Sequence, residues 1–316
     1  MNSWMAQAPA NIALIKYMGK QDEDVNLPAN ASLSYTLDHL TTTVSLETID
    51  AIADRWEPLD FSVNAPTFQL SEQAVSRFLK HLAYIKNLFD YDGAFIVRSN
   101  NNFPQGAGIA SSASSFAALT KCTVQALAEL TGKSTLSVQA QAHLSRMGSG
   151  SSCRSFYRPW CLWENDKVLE VKLPYPELLH QVVIVDDKVK LVSSSEAHRR
   201  VKTSPLFSGR IERAQVRLVK LLEGFEKQAW EQIYQLCFEE FMDMHQLFET
   251  ATQPFSYITD DCHQLINSIS THWRHKQDGP LVTMDAGSTI HLLYRPDQAK
   301  LAQTFKQTVF KNYVVL

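Results

Sequence analysis

A loop of small residues between a predicted strand and a long predicted helix restricts the folds open to this chain more than any other segment. The loop is Pro104-Gln105-Gly106-Ala107-Gly108-Ile109-Ala110-Ser111-Ser112. It follows an apolar stretch, Gly93–Ser99, and precedes an Ala- and Leu-rich helix predicted from Ser111 to Leu130, with Gly132 as its C-terminal cap. Small residues let a phosphate approach the backbone, and N–H groups at a helix start attract anions. The loop contains neither the Gly-Lys-Ser/Thr of a Walker A loop nor a GxGxxG motif. It therefore predicts either a phosphate-binding loop of another type or a tight turn followed by a capped helix.

A second loop of this kind favours the phosphate interpretation. Its sequence is Gly148-Ser149-Gly150-Ser151-Ser152-Cys153-Arg154-Ser155. Small residues form a nest of backbone donors, and the Arg154 guanidinium suits a carboxylate or a phosphate. A flexible linker is the alternative, but Phe156, Tyr157 and Trp160 follow at once and indicate a loop built into a core. Two such loops predict a nucleotide and a second anionic substrate.

Two charged positions follow predicted buried strands. The apolar stretch from Ala8 leads into Lys16, and Lys20 follows after Gly19. Lone lysines are usually solvated, but Lys16 is expected to be partly desolvated and paired because it directly follows a buried-looking run. Asp285 stands at the end of another predicted core strand, where a plain turn residue is the alternative to a catalytic carboxylate.

Periodicity along the chain predicts an α+β fold with a boundary near residue 180, hence domains 1–180 and 181–316. The first 65 residues are strand-rich, and Ser32–Leu46 predicts a hairpin that turns near Asp38-His39. Glu72–Phe89 has the spacing of an amphipathic helix. Further helices are predicted at 137–146, 207–248 and 257–273 and near the C-terminus, and further strands at 155–163, 168–173, 181–185, 281–284 and 290–294.

Composition excludes several classes of protein. The length of 316 residues suits one large domain or two joined ones, and the net charge of −3 argues against nucleic acid as a partner. No apolar run approaches the ~20 residues of a membrane span, and no secretory signal is evident. Five cysteines without CxxC spacing predict reduced thiols in the cytoplasm.

A basic stretch lies downstream of the predicted boundary. It comprises Lys188, Lys190, His198, Arg199, Arg200 and Lys202. These residues would either steer anions to a site or form a solvated helix face, and the second interpretation is favoured.

Several motifs in order resemble the GHMP small-molecule kinases and, within that family, its diphosphomevalonate decarboxylase branch. They are Ala10-Asn11-Ile12-Ala13 with Lys16-Tyr17-x-Gly19-Lys20-x-Asp22, Leu27-Pro28-x-Asn30-x-Ser32-Leu33-Ser34, Asn101-Asn102-Phe103-Pro104 with Gly108-x-Ala110-Ser111-Ser112-Ala113, Arg146-x-Gly148-Ser149-Gly150-Ser151-x-Cys153-Arg154-Ser155, Val192-Ser193-Ser194 and Asp285-Ala286-Gly287. The phosphate loop indicates only the superfamily. The Asn11–Lys20 and Arg146–Ser155 motifs narrow the resemblance to the decarboxylase branch.

The resemblance implies a fold and a reaction. The fold is a two-lobed GHMP-kinase-like one, with a part similar to ribosomal protein S5 domain 2 before a ferredoxin-like part. The reaction uses ATP and Mg²⁺ to phosphorylate the C3 hydroxyl of (R)-5-diphosphomevalonate, and loss of phosphate and CO₂ then leaves isopentenyl diphosphate for isoprenoid biosynthesis. The resemblance also implies small-molecule substrates, a homodimer, and neither nucleic acid nor membrane as a partner.

The resemblance further implies roles for residues at matching positions. Asp285 would be general base or orienter at the C3 hydroxyl, Lys16 would neutralise charge, Arg154 would fix the carboxylate, and Asn11 would support the site. Substrate binding would fall to Tyr17, Met18, Gly19, Lys20, Ser149, Gly150, Ser151, Ser152, Cys153 and Arg154. ATP binding would fall to Pro104, Gly106, Gly108, Ala110, Ser111 and Ser112, with a serine hydroxyl near Mg²⁺.

Departures from the family pattern leave alternatives open. Met18 replaces a usual Trp, Arg158-Pro159-Trp160 replaces a Gly-Gly, and Glu196-Ala197-His198 replaces a Gly-Met neighbourhood, so no site residue is predicted at 196–200. The alternatives are a 5-phosphomevalonate decarboxylase, a mevalonate 3-kinase and a non-catalytic ligand-binding module. The presence of Lys16, Arg154 and Asp285 together favours decarboxylation.

Overall fold

Two main β-sheets organise the chain in a computed structural model that describes residues 2–59, 69–104, 111–186 and 190–316. The strands are β1 (Ser3–Ile15), β2 (Lys20–Asp22), β3 (Leu27–Pro28), β4 (Ser32–Ile49), β5 (Arg55–Pro58), β6 (Ala94–Asn101), β7 (Trp160–Glu164), β8 (Lys167–Val171), β9 (Leu179–Ile184), β10 (Leu281–Met284), β11 (Thr289–Tyr294) and β12 (Val314–Val315). The helices are α1 (Glu72–Leu88), α2 (Ser111–Thr131), α3 (Val138–Gly148), α4 (Ser194–Arg200), α5 (Arg210–Glu226), α6 (Trp230–Glu249), α7 (Asp260–Lys276) and α8 (Ala299–Thr308). The mixture of strands and helices confirms the α+β prediction.

The first sheet is built around the long strand β4. Its order is β5-β6-β4-β7-β8, and β1 pairs with β4 as well. The predicted hairpin near Asp38-His39 is wrong, because β4 continues through this point. Pro9 pairs with Thr41 while Ala10 pairs with Leu37, so residues 38–40 bulge out of the ladder. The bulge exposes the polar Asp38 and His39 to water without reversing the chain.

The second sheet has the order β10-β11-β9-β12, and its pairs are antiparallel. Along the chain one strand is followed by helices, two strands, a helix and a last strand. This succession and order are those of the ferredoxin-like arrangement that the resemblance implies for the C-terminal part. The sheet therefore brings the end of β10 to a position beside the helices.

Two large apolar clusters hold the sheets and helices together. One packs the face of the first sheet, including Val44 and Val97, against α1 and α2. The other joins side chains of both sheets, such as Ile12 and Leu292, with α5, α6 and α7. Because one core includes both sheets, packing fixes the end of β1 relative to the end of β10. The division of the chain at residue 180 stays a prediction.

The structure shifts two predicted element boundaries. The strand expected from Ser155 begins at Trp160, because Gly150–Phe156 forms a 3-10 helix. The helical region 207–248 is two helices, α5 and α6, separated where Gln228 has a φ of 52°. The five cysteines are free and buried. Within the described ranges, no helix combines the length and the apolar character needed to cross a bilayer.

Candidate active site

A cavity of about 400 Å³ lies where the ends of β1 and β10 meet the start of α2 and the 3-10 helix. Most of the residues predicted to bind or react line it. These are Lys16, Tyr17, Met18, Lys20, Ser111, Ser112, Ser149, Gly150, Ser151, Arg154 and Asp285. Segments far apart in sequence thus converge on one concave site, as expected for small-molecule binding.

The cavity contains a close ion pair between Lys16 and Asp285. Each residue directly follows a strand end whose residues are buried, so the chain delivers both to the same edge. Lys16 Nζ donates to Asp285 Oδ1 at 2.6 Å, with the lysine side chain 1% exposed and the aspartate 22% exposed. Burial acts to raise the pKa of the Asp285 carboxyl, but the charges of Lys16, His291 and Arg154 together hold that pKa below its ordinary value. Asp285 is therefore an ionised carboxylate at the cavity wall.

The backbone of Lys16 is held by a buried polar scaffold. Its N–H donates to Glu240 Oε1 at 3.0 Å, and Asn30 Nδ2 donates to its carbonyl at 2.9 Å. Glu240 is itself paired with the fully buried Arg210. Since these partners come from α5, α6 and the segment before β4, several elements fix where the ammonium group lies.

Arg154 is oriented from behind by two hydrogen bonds. Its Nε donates to Asn11 Oδ1 at 3.0 Å and its Nη1 to Ser32 Oγ at 2.9 Å. Asn11 is fixed in turn, because its Nδ2 donates to Ser155 Oγ at 2.9 Å. Asn11 is buried at 1% exposure and lies behind the guanidinium rather than on the cavity surface. The geometry makes Asn11 a positioning residue for Arg154.

The two small-residue loops adjoin at the start of α2. Ser112 Oγ and Ser149 Oγ lie 3.1 Å apart. The first turn of α2 consists of uncharged Ser111-Ser112-Ala113-Ser114, whose N–H groups and dipole favour an anion. Pro104 is exposed just before this region. The predicted ATP-binding residues Gly106, Gly108 and Ala110 lie outside the described residues.

Tyr17 presents an unused phenol to the site. Its hydroxyl is buried and finds no hydrogen-bond partner among the described residues, while its ring centroid lies 4.7 Å from that of Trp163. Burial raises the pKa of Tyr17, so the group stays a neutral donor. A Cβ on Gly150 would lie 2.6 Å from the hydroxyl oxygen, which explains a glycine there. A buried donor of this kind fits an anionic ligand.

Three predicted substrate-binding residues, Gly19, Ser152 and Cys153, do not line the cavity. Ser152 is buried and donates to Ser145 Oγ at 2.9 Å, and Cys153 is buried with its Sγ directed at Gly150 O at 3.2 Å. Gly19 has a φ of 86° and donates its N–H to His198 Nδ1. These contacts shape the loops, and direct binding by these three residues stays a prediction.

Sequence reasoning missed several residues of the cavity, among them Arg77, Lys190 and His198. The solvated-face interpretation of the basic stretch is wrong for two members: His198 is 7% exposed, and Lys190 donates its Nζ to Ala286 O. Arg199 is exposed, and Lys188 lies outside the described residues. The basic run before and after Val192-Ser193-Ser194 was the available signal. Arg77 lies on the polar face of α1, and the sequence contains no signal there that marks it as a site residue.

The donor set fits a magnesium ion that arrives with a nucleotide. Within the described ranges, no group of three His, Cys, Asp or Glu side chains is placed to hold a metal. Mg²⁺ commonly takes one or two protein oxygens together with phosphate oxygens and water. The Ser111 and Ser112 hydroxyls and the Asp285 carboxylate supply such oxygens in one cavity.

Comparisons with known proteins agree over both parts of the chain. Two family models match: a diphosphomevalonate decarboxylase-like N-terminal domain over residues 8–171 and a mevalonate 5-diphosphate decarboxylase C-terminal domain over residues 181–314. A human diphosphomevalonate decarboxylase is 32% identical over 308 residues, which cover 89% of this chain and 74% of the relative.

Solved structures match over nearly the full length. A mevalonate diphosphate decarboxylase from Legionella pneumophila is 54% identical with a TM-score of 0.94, and 100% of each chain is covered. The structure of MDDEF in complex with MVAPP, AMPPCP and magnesium is 28% identical with a TM-score of 0.84, covering 99% of this chain and 95% of that one. These matches confirm the two-lobed fold.

Proposed function

The chain belongs to the diphosphomevalonate decarboxylase family, and we propose that its cavity binds 5-diphosphomevalonate beside ATP and Mg²⁺ and forms isopentenyl diphosphate. The protein is an enzyme of the ATP-dependent decarboxylase type. The observation that carries the proposed mechanism is the Asp285 carboxylate held at 2.6 Å by the Lys16 ammonium group in a cavity that Arg154 also lines.

The cavity suits two polyanionic ligands. Lys16, Lys20, Arg154 and Lys190 line it, while Asp285 is the carboxylate among the lining residues. The phenol of Tyr17 and the amides and hydroxyls of the small-residue loops add neutral donors. Hydrogen bonds from the lysine and arginine side chains bind phosphate and carboxylate groups strongly. The cavity can therefore bind anions although the whole chain has a net charge of −3.

Asp285 is assigned to orient the C3 hydroxyl for phosphoryl transfer. Its low pKa makes it a weak base, whereas an effective general base has a pKa near the working pH. Phosphoryl transfer passes through a loose transition state, in which positioning and charge neutralisation matter most. Lys16 supplies a fixed positive charge between the phosphoryl donor and the acceptor.

Arg154 is assigned to hold the substrate carboxylate. Phosphorylation converts the C3 hydroxyl into a good leaving group. The bond from the neighbouring carbon to the carboxylate then breaks, its electron pair forms the new double bond, and phosphate and CO₂ depart. Because Nε and Nη1 are anchored by Asn11 and Ser32, the guanidinium plane is oriented before substrate binds.

ATP is assigned to the start of α2, and magnesium to its phosphates. Ser111 and Ser112 offer hydroxyls there, and Ser149 lies beside Ser112. Bound Mg²⁺ would neutralise phosphate charge during transfer. The MDDEF complex with MVAPP, AMPPCP and magnesium supports, by similarity, the binding of a nucleotide and magnesium. The homodimer and the cytoplasmic location stay proposals; free thiols at all five cysteines support a reducing compartment.

The test supplies the purified protein with ATP, Mg²⁺ and, in turn, mevalonate, its 5-phosphate or its 5-diphosphate, and follows ADP and CO₂ separately. We expect ADP and CO₂ in equal amounts, with the 5-diphosphate as the preferred substrate. ADP without CO₂ would identify a mevalonate 3-kinase, and turnover confined to the 5-phosphate would identify the other decarboxylase. No turnover with any of the three would favour a ligand-binding module.

A further inference from the structure

We infer that His198 is a substrate-binding residue whose Nε2–H donates a hydrogen bond to the diphosphate of the substrate. This inference rests on the proposed function. His198 lies on α4, is 7% exposed and lines the cavity. Its ring centroid is 4.4 Å from that of Tyr17, so the imidazole forms one wall with the unpartnered phenol. Because Glu196-Ala197-His198 departs from the family pattern, no site residue is predicted at this position from sequence.

The tautomer of His198 follows from its contact with Gly19. The Gly19 N–H donates to His198 Nδ1 at 3.0 Å, so Nδ1 carries a lone pair and the ring proton of the neutral imidazole is on Nε2. Burial, followed by the charge of Lys20, lowers the pKa of His198 to about 3, which keeps the ring neutral. His198 is therefore a neutral donor with a defined direction.

The Nε2–H group is available for a ligand. Within the described part of the chain, no protein atom accepts a hydrogen bond from Nε2–H. The Nε2 atom is also not completely buried. The atom therefore has contact with the cavity. A polar hydrogen at the edge of a binding cavity is satisfied by water in the free protein and by an acceptor on the ligand when one binds.

The neighbourhood of His198 favours the diphosphate over the reacting end of the substrate. Lys20, which also lines the cavity, is the charged group that acts most strongly on the imidazole, and Lys20 is itself paired with Glu23 at 3.3 Å. Tyr17 and Lys20 are among the residues that the resemblance implies for substrate binding, and both line the cavity. Asp285 and Lys16, which face the C3 hydroxyl, make no described hydrogen bond to His198. The cations that act on the imidazole are Lys20, Lys202 and Arg154. A neutral donor beside them adds a hydrogen bond to a phosphate oxygen without adding to the repulsion between the positive charges.

Two variants separate the roles of the two ring nitrogens. His198→Asn keeps an acceptor near the place of Nδ1 for the Gly19 N–H but removes the Nε2 donor. His198→Gln instead places an amide N–H near the place of Nε2. Because a hydrogen bond to a charged group is strong, we expect His198→Asn to raise the Kd for diphosphomevalonate about tenfold or more in calorimetry, and His198→Gln to recover part of the loss. The KM for ATP should change less than about twofold in both variants.

A wild-type measurement keeps the inference testable if a variant fails to fold. In ¹⁵N-histidine-labelled wild-type protein, Nε2 should stay protonated and Nδ1 unprotonated from pH 8 to 5, and saturating diphosphomevalonate should shift the Nε2 proton resonance. An unshifted resonance, a Kd changed by less than about twofold in a folded His198→Asn variant, or a rise confined to the KM for ATP would overturn the inference. Wild-type protein that releases no CO₂ would overturn the proposed function instead, whereas normal wild-type turnover with an unaffected variant would overturn only the role of His198.

Discussion

Lys16 and Asp285 meet at 2.6 Å although 269 positions separate them along the chain. Lys16 follows β1 of the first sheet, and Asp285 follows β10 of the second. The ion pair therefore forms only when the shared apolar core has brought the two sheets together. This relationship ties activity to the packing of the whole molecule.

Replacing Asp285 by Asn should remove nearly all turnover. The amide keeps the shape of the carboxylate but loses the charge that pairs with Lys16, so the C3 hydroxyl is no longer oriented beside a balanced charge pair. We expect kcat to fall at least about 100-fold while the Kd for ATP is nearly unchanged. The measurement is steady-state CO₂ release together with calorimetric titration of ATP. Asp50→Asn, in an exposed turn, is the matched control, and a substantial residual rate in Asp285→Asn would contradict the assignment.

Replacing Arg154 by Gln should impair decarboxylation far more than nucleotide binding. The proposed charged contact to the substrate carboxylate is lost, and we expect kcat/KM for diphosphomevalonate to fall at least about 100-fold. Asn11→Ala removes the acceptor of Arg154 Nε, at 3.0 Å, but leaves the contact of Nη1 with Ser32, so it should produce a smaller loss of the same kind. Equal losses in the binding of ATP and of diphosphomevalonate would instead assign Arg154 to the nucleotide.

Two glycines with positive φ allow strain and steric contact to be separated. Gly132 has a φ of +69° and open space around it, so Gly132→Ala should lower the free energy of unfolding by about 1–2 kcal/mol from strain alone. Gly19 has a φ of +86°, and a Cβ there would lie 2.7 Å from the Phe207 ring. Gly19→Ala should therefore cost about 1–3 kcal/mol more than Gly132→Ala. Urea unfolding measures both, and adding Phe207→Leu to Gly19→Ala should recover part of the difference; equal costs would show that Phe207 moves freely.

The buried His81 should make stability depend on pH. Burial lowers its pKa from 6.5 to about 4 in the folded protein. Between those values the unfolded chain binds a proton that the folded chain does not, so the free energy of unfolding falls as the pH drops through this range. The contribution is about 1.4 kcal/mol per pH unit. His81→Leu should reduce the slope by that amount in urea unfolding between pH 6 and pH 5.

At pH 7, His81→Leu should change the free energy of unfolding only slightly. The hydrogen bond between His81 Nε2 and Thr120 Oγ1 at 2.9 Å is lost, but Thr120 still donates to Phe116 O at 2.8 Å. The leucine side chain can also replace the edge-on packing of the His81 ring against Phe116, whose centroid lies 5.3 Å away. His275→Gln, at an exposed position on α7, should leave the slope unchanged. An unaltered slope in His81→Leu would show that His81 is protonated in the folded state.

Local patterns accounted for much of the fold and part of the site. The spacing of apolar residues in α1 and the alternation from strand to small-residue loop to helix at β6 and α2 are properties of adjacent residues, so they were visible in the sequence. The same holds for the positions of Lys16 and Asp285 after apolar runs. The sequence predicts a hairpin near Asp38-His39, whereas these residues form a bulge within β4. Polar residues occur both at bulges and at the turns that end strands, so the local sequence does not distinguish the two.

The order of residues along the chain establishes which groups this protein can use: two loops of small residues, a lysine and an aspartate at strand ends, and an arginine in a nest of donors. How those groups combine depends on the folded molecule. The fold pairs Lys16 with Asp285, places Asn11 behind Arg154, and buries His198 against Tyr17. The physical reason is that each of these contacts joins residues on different elements, and its geometry depends on strand register and on the close packing of one shared core, which no short stretch of sequence encodes.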